Sequence, residues 1–530
     1  MSNRVVAVGF SSALIAGLLT GALASPALAS CGGGGYSGGD GTAGDPYQIA
    51  TKDDLDDLQS TDGDWDCDFV LTSDIDMGGD TWNSGIGTDS GIDAYRGTFD
   101  GRGFAVRNLT ISGGGSDYMG LFGYTDSADI KNVGFTGNVS GDDEIGGLIG
   151  QADDTDVTNS WASGVVSGLD DYVGGLIGEA VNSRVTGSWA TGAVSGDENI
   201  GGLVGQADSD VEISNSRASG SVTSRNEDAG GLVGDHRGKI YRSFALGSVE
   251  GVAYVGGLVG VNNNADALIE DSYARGQVVG TGQYVGGLVG DNENEIRRSY
   301  STGSVTGGSD FGGLVGFVDV GASVSDSYWD TQTSGQSTSA GGAGVMGKTS
   351  AQMRTISTFS SWSIVAGYSS SSTWGICGAV NSGYPYLTAF YSSNPCGGGS
   401  LPSNSYSLIL EPAEGSICTV ASVSGPVNTW VYLPPATSCR PIDENSSAVL
   451  LGWSTVRDFP VEIAQRQVDL DMGAHELTDD SGAITGVFIP SGKGALIISP
   501  NRLYAVWSEP LVVEEVETSE VSPSPGAVLA

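Results

Sequence analysis

The chain has 530 residues, with 63 acidic side chains against 22 basic ones and a formal net charge of −41. That charge excludes unaided binding to nucleic acid and docking on anionic lipid, since both need clustered Lys and Arg. The 86 glycines follow no every-third-residue period and 39% of residues are apolar, which excludes collagen and wholesale disorder.

Arg4 is the only charge within residues 1–29. An apolar stretch from Val5 to Leu23 leads into Ala27-Leu28-Ala29, a small-x-small cleavage pattern. Residues 1–29 therefore read as a secretory signal peptide, and the mature chain as secreted, extracellular or cell-surface with no membrane span. Leu28-Ala29-Ser30-Cys31 also has the form of a lipobox, which would attach lipid at Cys31. The six cysteines are Cys31, Cys67, Cys377, Cys396, Cys418 and Cys439. An even set in an exported chain suggests three structural bridges. Nearness in sequence suggests Cys31–Cys67, Cys377–Cys396 and Cys418–Cys439, one of fifteen pairings, and lipidation of Cys31 would strand one thiol. Thr51 to Ser60 reads as a short capping helix, with Thr51 as N-cap, Asp53 and Asp54 in the first turn, and Leu55 and Leu58 on one face.

From Gly120 the chain repeats. Gly-Gly-Leu-(Ile/Val)-Gly occurs seven times between Gly146 and Gly316, after a degenerate copy at Gly120–Gly123. The repeated leucines are Leu121, Leu148, Leu176, Leu203, Leu232, Leu258, Leu288 and Leu314, 26 to 30 residues apart. A second phrase recurs in phase, as in Ser160-Trp161-Ala162, Ser188-Trp189-Ala190 and Ser272-Tyr273-Ala274, each followed by Gly-x-Val. Each unit holds three short β-leaning runs separated by Gly, Asn, Asp and Ser. One unit cannot fold alone. Ordering its backbone costs roughly 30–50 kcal/mol. Each buried apolar side chain returns only about 1.5–3 kcal/mol. Stacking the units in register solves this, with equivalent side chains forming interior columns and glycines serving positive φ or close approach. The expected fold is all-β: a parallel β-helix or solenoid of about eight coils with N- and C-terminal caps. Trp161 and Trp189, at repeat positions, are expected to pack in its core.

The phrase Tyr254–Gly260 followed by Ser-Tyr-Ala-x-Gly-x-Val resembles the GLUG-motif repeats of bacterial surface and secreted proteins. The lead-in Gly44–Ile49, the runs Leu71–Asp76 and Gly97–Gly101, and the exit Ser327–Thr331 are similar to the same group. The resemblance implies a β-helical surface or adhesin-type protein and implies no reaction. Leu451–Thr455, answered by Leu503–Trp507, resembles the Listeria–Bacteroides repeat, a small β-grasp module, with a longer middle than that pattern has. The expected organisation is a signal peptide over 1–29, a lead-in and cap over 30–112, and a solenoid over 113–330. A C-terminal cap follows over 331–399, a β-grasp-like module over 400–510 and a disordered acidic tail over 511–530.

Several motifs tempt a catalytic reading. Gly342–Thr349 satisfies G-x-x-x-x-G-K-[ST], yet polar residues 331–341 precede it where a phosphate loop needs a buried strand. Gly35–Gly39 satisfies G-x-S-x-G around Ser37, but the only histidines are His236 and His475 and neither lies in a matching motif. His475-Glu476 lacks the second His of a zinc-protease helix. No catalytic, cofactor or metal residue is therefore assigned. Acidic runs at Asp142–Glu144, Asp153–Asp156, Asp170-Asp171 and Asp291–Glu295 suit solvated surface or weak Ca²⁺ binding. The expected role is adhesion, with an extracellular glycan, matrix or cell-surface ligand as partner. The alternative is a polysaccharide-active β-helix enzyme, a lyase or glycoside hydrolase using paired surface carboxylates.

Overall fold

The computed structural model describes residues 31–396, except 33, 89–92, 265 and 379, together with the backbone of strands between 405 and 507. The expected signal peptide over 1–29 and the tail over 511–530 lie outside the described residues.

The repeats wind into a parallel β-solenoid of about nine turns. One coil shows the plan. Ile145–Gly146 lies on a first face, Ile149–Asp153 on a second, Asp156–Thr158 on a third, and Trp161–Ser163 with Val166–Gly168 on a fourth. Each strand pairs in parallel with its equivalents in the coils before and after. The phrase Gly-Gly-Leu-(Ile/Val)-Gly is split between the first two faces. The chain turns at Gly-Leu, and the Leu backbones bond coil to coil, as in Leu176 N to Leu203 O at 2.9 Å.

The interior is a set of columns. All eight repeated leucines are fully buried. On the third face Ile130, Val157, Val185, Ile213, Ile240, Ile269, Ile296 and Val324 stand in successive register. On the fourth face Ala162, Ala190, Ala218, Ala245 and Ala274 form an inward column. Side chains alternate across a strand. Trp161 and Trp189 therefore face outward, and both are half-buried outside the core. This corrects their expected interior packing: the small Ala beside each is what the lumen accepts.

Serine explains the second phrase. Ser160, Ser188, Ser216, Ser243, Ser272 and Ser299 are fully buried, and each N–H donates to the hydroxyl of the next in the column at 3.1–3.2 Å. Each hydroxyl in turn donates to a carbonyl two residues back, as Ser216 Oγ does to Ser214 O at 2.9 Å. A corner that would orphan one amide per coil is thereby satisfied.

The glycines of the repeat serve close approach. A Cβ on Gly231 would lie 2.1 Å from Gly257 O and 2.9 Å from the Ala245 Cβ. Positive φ falls instead on the residue two places before the first glycine of each phrase. Tyr118, Glu144, Tyr172, Asn199, Asp228, Tyr254, Tyr284 and Asp310 all take φ of 52–59°. Eight consecutive coils hold a non-glycine in a conformation that costs about 1–2 kcal/mol each.

The ladder extends beyond the repeat phrases. The third face has eleven strands, beginning with Tyr47–Ile49, Phe69–Leu71 and Thr98–Asp100, so the interval expected as lead-in and cap supplies rungs of its own. Long side chains such as Phe69 and Phe99 fill these coils. Helix α1 (Lys52–Ser60) lies between the first two rungs. Thr51 Oγ1 accepts from Asp54 N, and the Asp54 carboxylate accepts from Thr51 N at 2.9 Å, closing a capping box over buried Leu55 and Leu58. Cys31 bridges to Cys67 and Cys377 to Cys396.

The segment expected as a C-terminal cap is also a strap. Val345–Lys348 adds a parallel strand to Ser327–Asp330, and helix α2 (Ser350–Met353) follows. Phe359, Trp362, Trp374, Tyr384 and Leu387 then pack on the outward ladder Phe244, Tyr273, Tyr300 and Tyr328 of the fourth face. Tyr273 stacks between Phe244 and Tyr300 at 4.7 and 5.0 Å. The strap is tied down by Trp374 Nε1 donating to Asp271 Oδ1 at 3.0 Å and Tyr384 OH donating to Asp330 Oδ2 at 2.7 Å. Farther along, the backbone of Ser405–Glu411 pairs antiparallel with Ser422–Pro426 and parallel with Arg502–Trp507. Cys418 stands opposite Cys439 on paired strands, while their side chains lie outside the described residues.

Candidate functional site

The tempting motifs resolve into structure. Gly342–Thr349 contains a three-residue turn and the strand Val345–Lys348, and Thr349 caps a helix of four residues. Lys348 Nζ lies 5.8 Å from the Tyr328 ring centre. The glycines therefore form no cradle ahead of a helix. Ser37 Oγ donates to Asp54 Oδ2 at 2.8 Å, which spends the hydroxyl on the α1 cap. His236 is fully buried in the lumen, in register between Ala207 and Asn262. The side chain of His475 lies outside the described residues.

The acidic runs do converge at one corner, just before the first face. Stacking brings Asp143 of one coil beside Asp117 of the coil before and Asp170 and Asp171 of the coil after. Carboxylate oxygens of Asp117, Asp143 and Glu144 lie within 4.8 Å of one another, as do those of Asp143, Asp170 and Asp171. The sequence singled out 142–144 and 170–171 as separate runs. It missed Asp117, whose only signal is its place two residues before Met119 in the degenerate first copy. Asp153, Asp154 and Asp156 join neither group, and Glu295 pairs with Arg297 at 3.4 Å. Two of the corner acids also work for the backbone: Asp143 Oδ1 accepts from Asp171 N at 2.7 Å, and Asp171 Oδ1 from Glu198 N at 3.1 Å. Burial, then the Asp143 charge, pushes Glu144 up to about 8. Burial, then Glu198, pushes Asp171 up to about 6. Such a corner accepts protons or hard cations readily.

A polar hollow of about 150 Å³ opens at another corner, between the second and third faces. It exists because one coil is longer there. Ala180 pairs with Ala207 and Arg184 with Glu212, so the second coil carries one extra residue between the two pairs. The bulge at Ser209 and Asp210 leaves a gap lined also by Asp156, Asn182, Arg184, Glu212 and Lys239. Arg184 Nη1 meets Asp156 Oδ1 at 3.1 Å with both side chains more than half exposed. No motif marks this hollow; its signal in the sequence is the 29-residue gap between Leu203 and Leu232.

The outward ring ladder ends at Trp161 and Trp189, which stack at 6.1 Å with 12° between their planes. The Arg217 guanidinium continues it, 4.7 Å from the Trp189 ring centre. Trp161 lies over Gly134, whose added Cβ would stand 2.3 Å from the ring. Both rings thus spend faces on their neighbours.

Residues 196–223 and 281–306 match the family model described as the GLUG motif. Among curated proteins, the chain is 33% identical over 205 residues to halomucin of Haloquadratum walsbyi, a match that covers 36% of this chain and 2% of halomucin. The chain therefore aligns with a small fraction of that relative's length. Among solved structures it is 20% identical to a candidate immunoglobulin A1 protease from Bacteroides ovatus, covering 66% of this chain and 95% of that one at a TM-score of 0.37. A structure named IgA1 Protease is also 20% identical, covering 47% of this chain and 21% of that one at a TM-score of 0.33. At such identities and scores these two structures say nothing of activity. The chain is a β-solenoid with GLUG-motif repeats, similar to halomucin over part of its length.

Proposed function

We propose that the protein is a secreted or cell-surface β-solenoid acting as an adhesin-type binding and structural module. One observation carries this reading: coil on coil, the interior is filled with buried Leu, Ile, Val, Ala and Ser, so recognition falls to the outward ladders and corner loops. Export is supported by the leader-like 1–29 and by two disulfides, which persist in oxidising compartments. The likeness to halomucin points the same way. The hollow around Arg184 and Glu212 offers amide, hydroxyl, carboxylate and cationic groups to a polar ligand such as a glycan. Residues 400–510 serve in this reading as a β-grasp-like module, supported by the parallel pairing of Ser405–Glu411 with Arg502–Trp507.

The polysaccharide-active alternative needs two carboxyl groups about 5–10 Å apart across a bound sugar. The corner triads bring oxygens within 4.8 Å, and they sit at a corner away from the hollow. The test is a screen of the secreted protein against immobilised glycans, matrix proteins and cells, with and without Ca²⁺. Saturable binding weakened by Arg184→Glu is expected. Absence of binding to every class, or release of reducing sugar from a polysaccharide, would refute the reading.

A further inference from the structure

A second group of acids, distinct from the two triads, sits farther along the same corner, just before the first face, and on the second face beside it. Asp228 is the left-handed corner residue of its coil, with φ 54°. Asp235 and Asp291 stand on the second face in one register column, two rungs apart with Val261 between them. Parallel rungs are about 4.8 Å apart, so the two are roughly 10 Å apart along the ladder. The Asp228 carbonyl carbon is 2.9 Å from where a Cβ on Gly260 would stand, which sets this corner beside the Val261 rung.

All three Oδ1 atoms are shut off from water without a hydrogen-bond partner. Asp235 is 4% exposed and Asp291 7%. Asp235 Oδ2 accepts from Arg237 Nη2 at 2.6 Å, so half of that carboxylate is answered. The charged groups around them are mostly acids: Glu227 and Glu198 face Asp228, Asp208 and Glu293 face Asp235, and Glu293 and Asp319 face Asp291. Arg237 is the only cation in that set. A buried carboxylate with an unanswered oxygen and negative neighbours is costly unless it takes a proton.

We propose that Asp228, Asp235 and Asp291 form a proton-operated latch, which holds this corner closed on the second face while they are neutral and loosens it when they ionise. Burial, then Asp235, pushes Asp228 up to about 8, and burial, then Glu293, pushes Asp291 up to about 7. Asp235 is also raised, because burial outweighs Arg237. The folded chain therefore keeps protons that the unfolded chain has already lost. Stability from these groups is fully present below the ordinary carboxylate range and falls as pH rises toward 8. The loosened element is the corner itself, whose left-handed residue is held in place only by its neighbours.

Hydrogen exchange on the full secreted chain tests this, with amide rates corrected for intrinsic pH dependence. Between pH 6 and 9 the amides of 228–236 and 259–262 should lose at least about tenfold protection, the linkage of one pKa unit. Amides of the third-face column at Ile213 and Ile240 should not follow. Asp228→Asn with Asp291→Asn keeps the neutral shape and the Arg237–Asp235 pair, and should abolish the loss. If the double variant does not fold, either single variant should shrink the loss, since one carboxylate fewer ionises and the acids that remain lose a negative neighbour. An unchanged profile in the variants, or uniform loss over all faces, overturns the latch. Restoration of protection at pH 9 by millimolar Ca²⁺ at matched ionic strength also overturns it, since the group would then be a cation site.

Discussion

Ser216→Ala isolates the column of buried serines. Ser216 Oγ accepts from Ser188 N at 3.2 Å and donates to Ser214 O at 2.9 Å. Alanine fits the space, since it only removes one atom, but it leaves the Ser188 N–H buried with no acceptor. An orphaned buried donor costs about 1–3 kcal/mol. In a repeat array the loss stays near the coil that suffers it, because stability is a sum of nearest-neighbour terms. Native-state hydrogen exchange is therefore the assay. The Ser188 amide should lose about fivefold to over a hundredfold protection, while amides several coils away keep theirs. Ser221→Ala, at an exposed position of the same coil, is the control and should stay within about 0.5 kcal/mol. Equal effects of the two substitutions would refute the view that this hydroxyl replaces a backbone acceptor.

Three further outcomes are expected. Gly231→Ala drives a Cβ to 2.1 Å from Gly257 O, backbone that cannot yield without breaking the ladder, and should lower stability by about 3 kcal/mol in urea; a wild-type midpoint would contradict the close-packing account. Cys67→Ala removes a bridge spanning 36 residues and should cost about 3–4 kcal/mol, read as new protease cleavage within residues 31–67; equal resistance would count against it. Burial holds His236 neutral, lowered from 6.5 to about 4. The folded chain thus binds fewer protons than the unfolded one, so this contribution is present above pH 6.5 and lost as pH falls toward 4. In His236→Ala the acid slope of the denaturation midpoint should flatten, even though the neutral-pH midpoint also falls; an unchanged slope would remove His236 from the acid limb.

Much of the architecture was legible because a solenoid is a local rule applied repeatedly. A coil of about 27 residues that recurs in phase cannot bury its few apolar groups alone, so Leu148, Leu176 and Leu203 had to stack. The short helix at Thr51 was legible for a similar reason, since its cap and its two leucines lie within ten residues. Within a coil, the same phrases left choices open. Ser-aromatic-Ala does not say which of its members points inward; the width of the lumen decided for Ala162 and against Trp161. Gly-Gly-Leu does not say whether its glycines turn the chain or clear a path; the next coil's carbonyl at Gly257 O decided for clearance at Gly231.

Sequence alone determined the period, the parallel in-register stacking and the interior columns, because these depend on what one repeat lacks and its neighbour supplies. Only the tertiary structure decided which acids meet. Asp117, Asp143 and Asp170 are far apart along the chain and adjacent across rungs, and Asp228, Asp235 and Asp291 are drawn together by a corner and a register. Charge interactions follow distance through space, and the winding of the chain sets that distance.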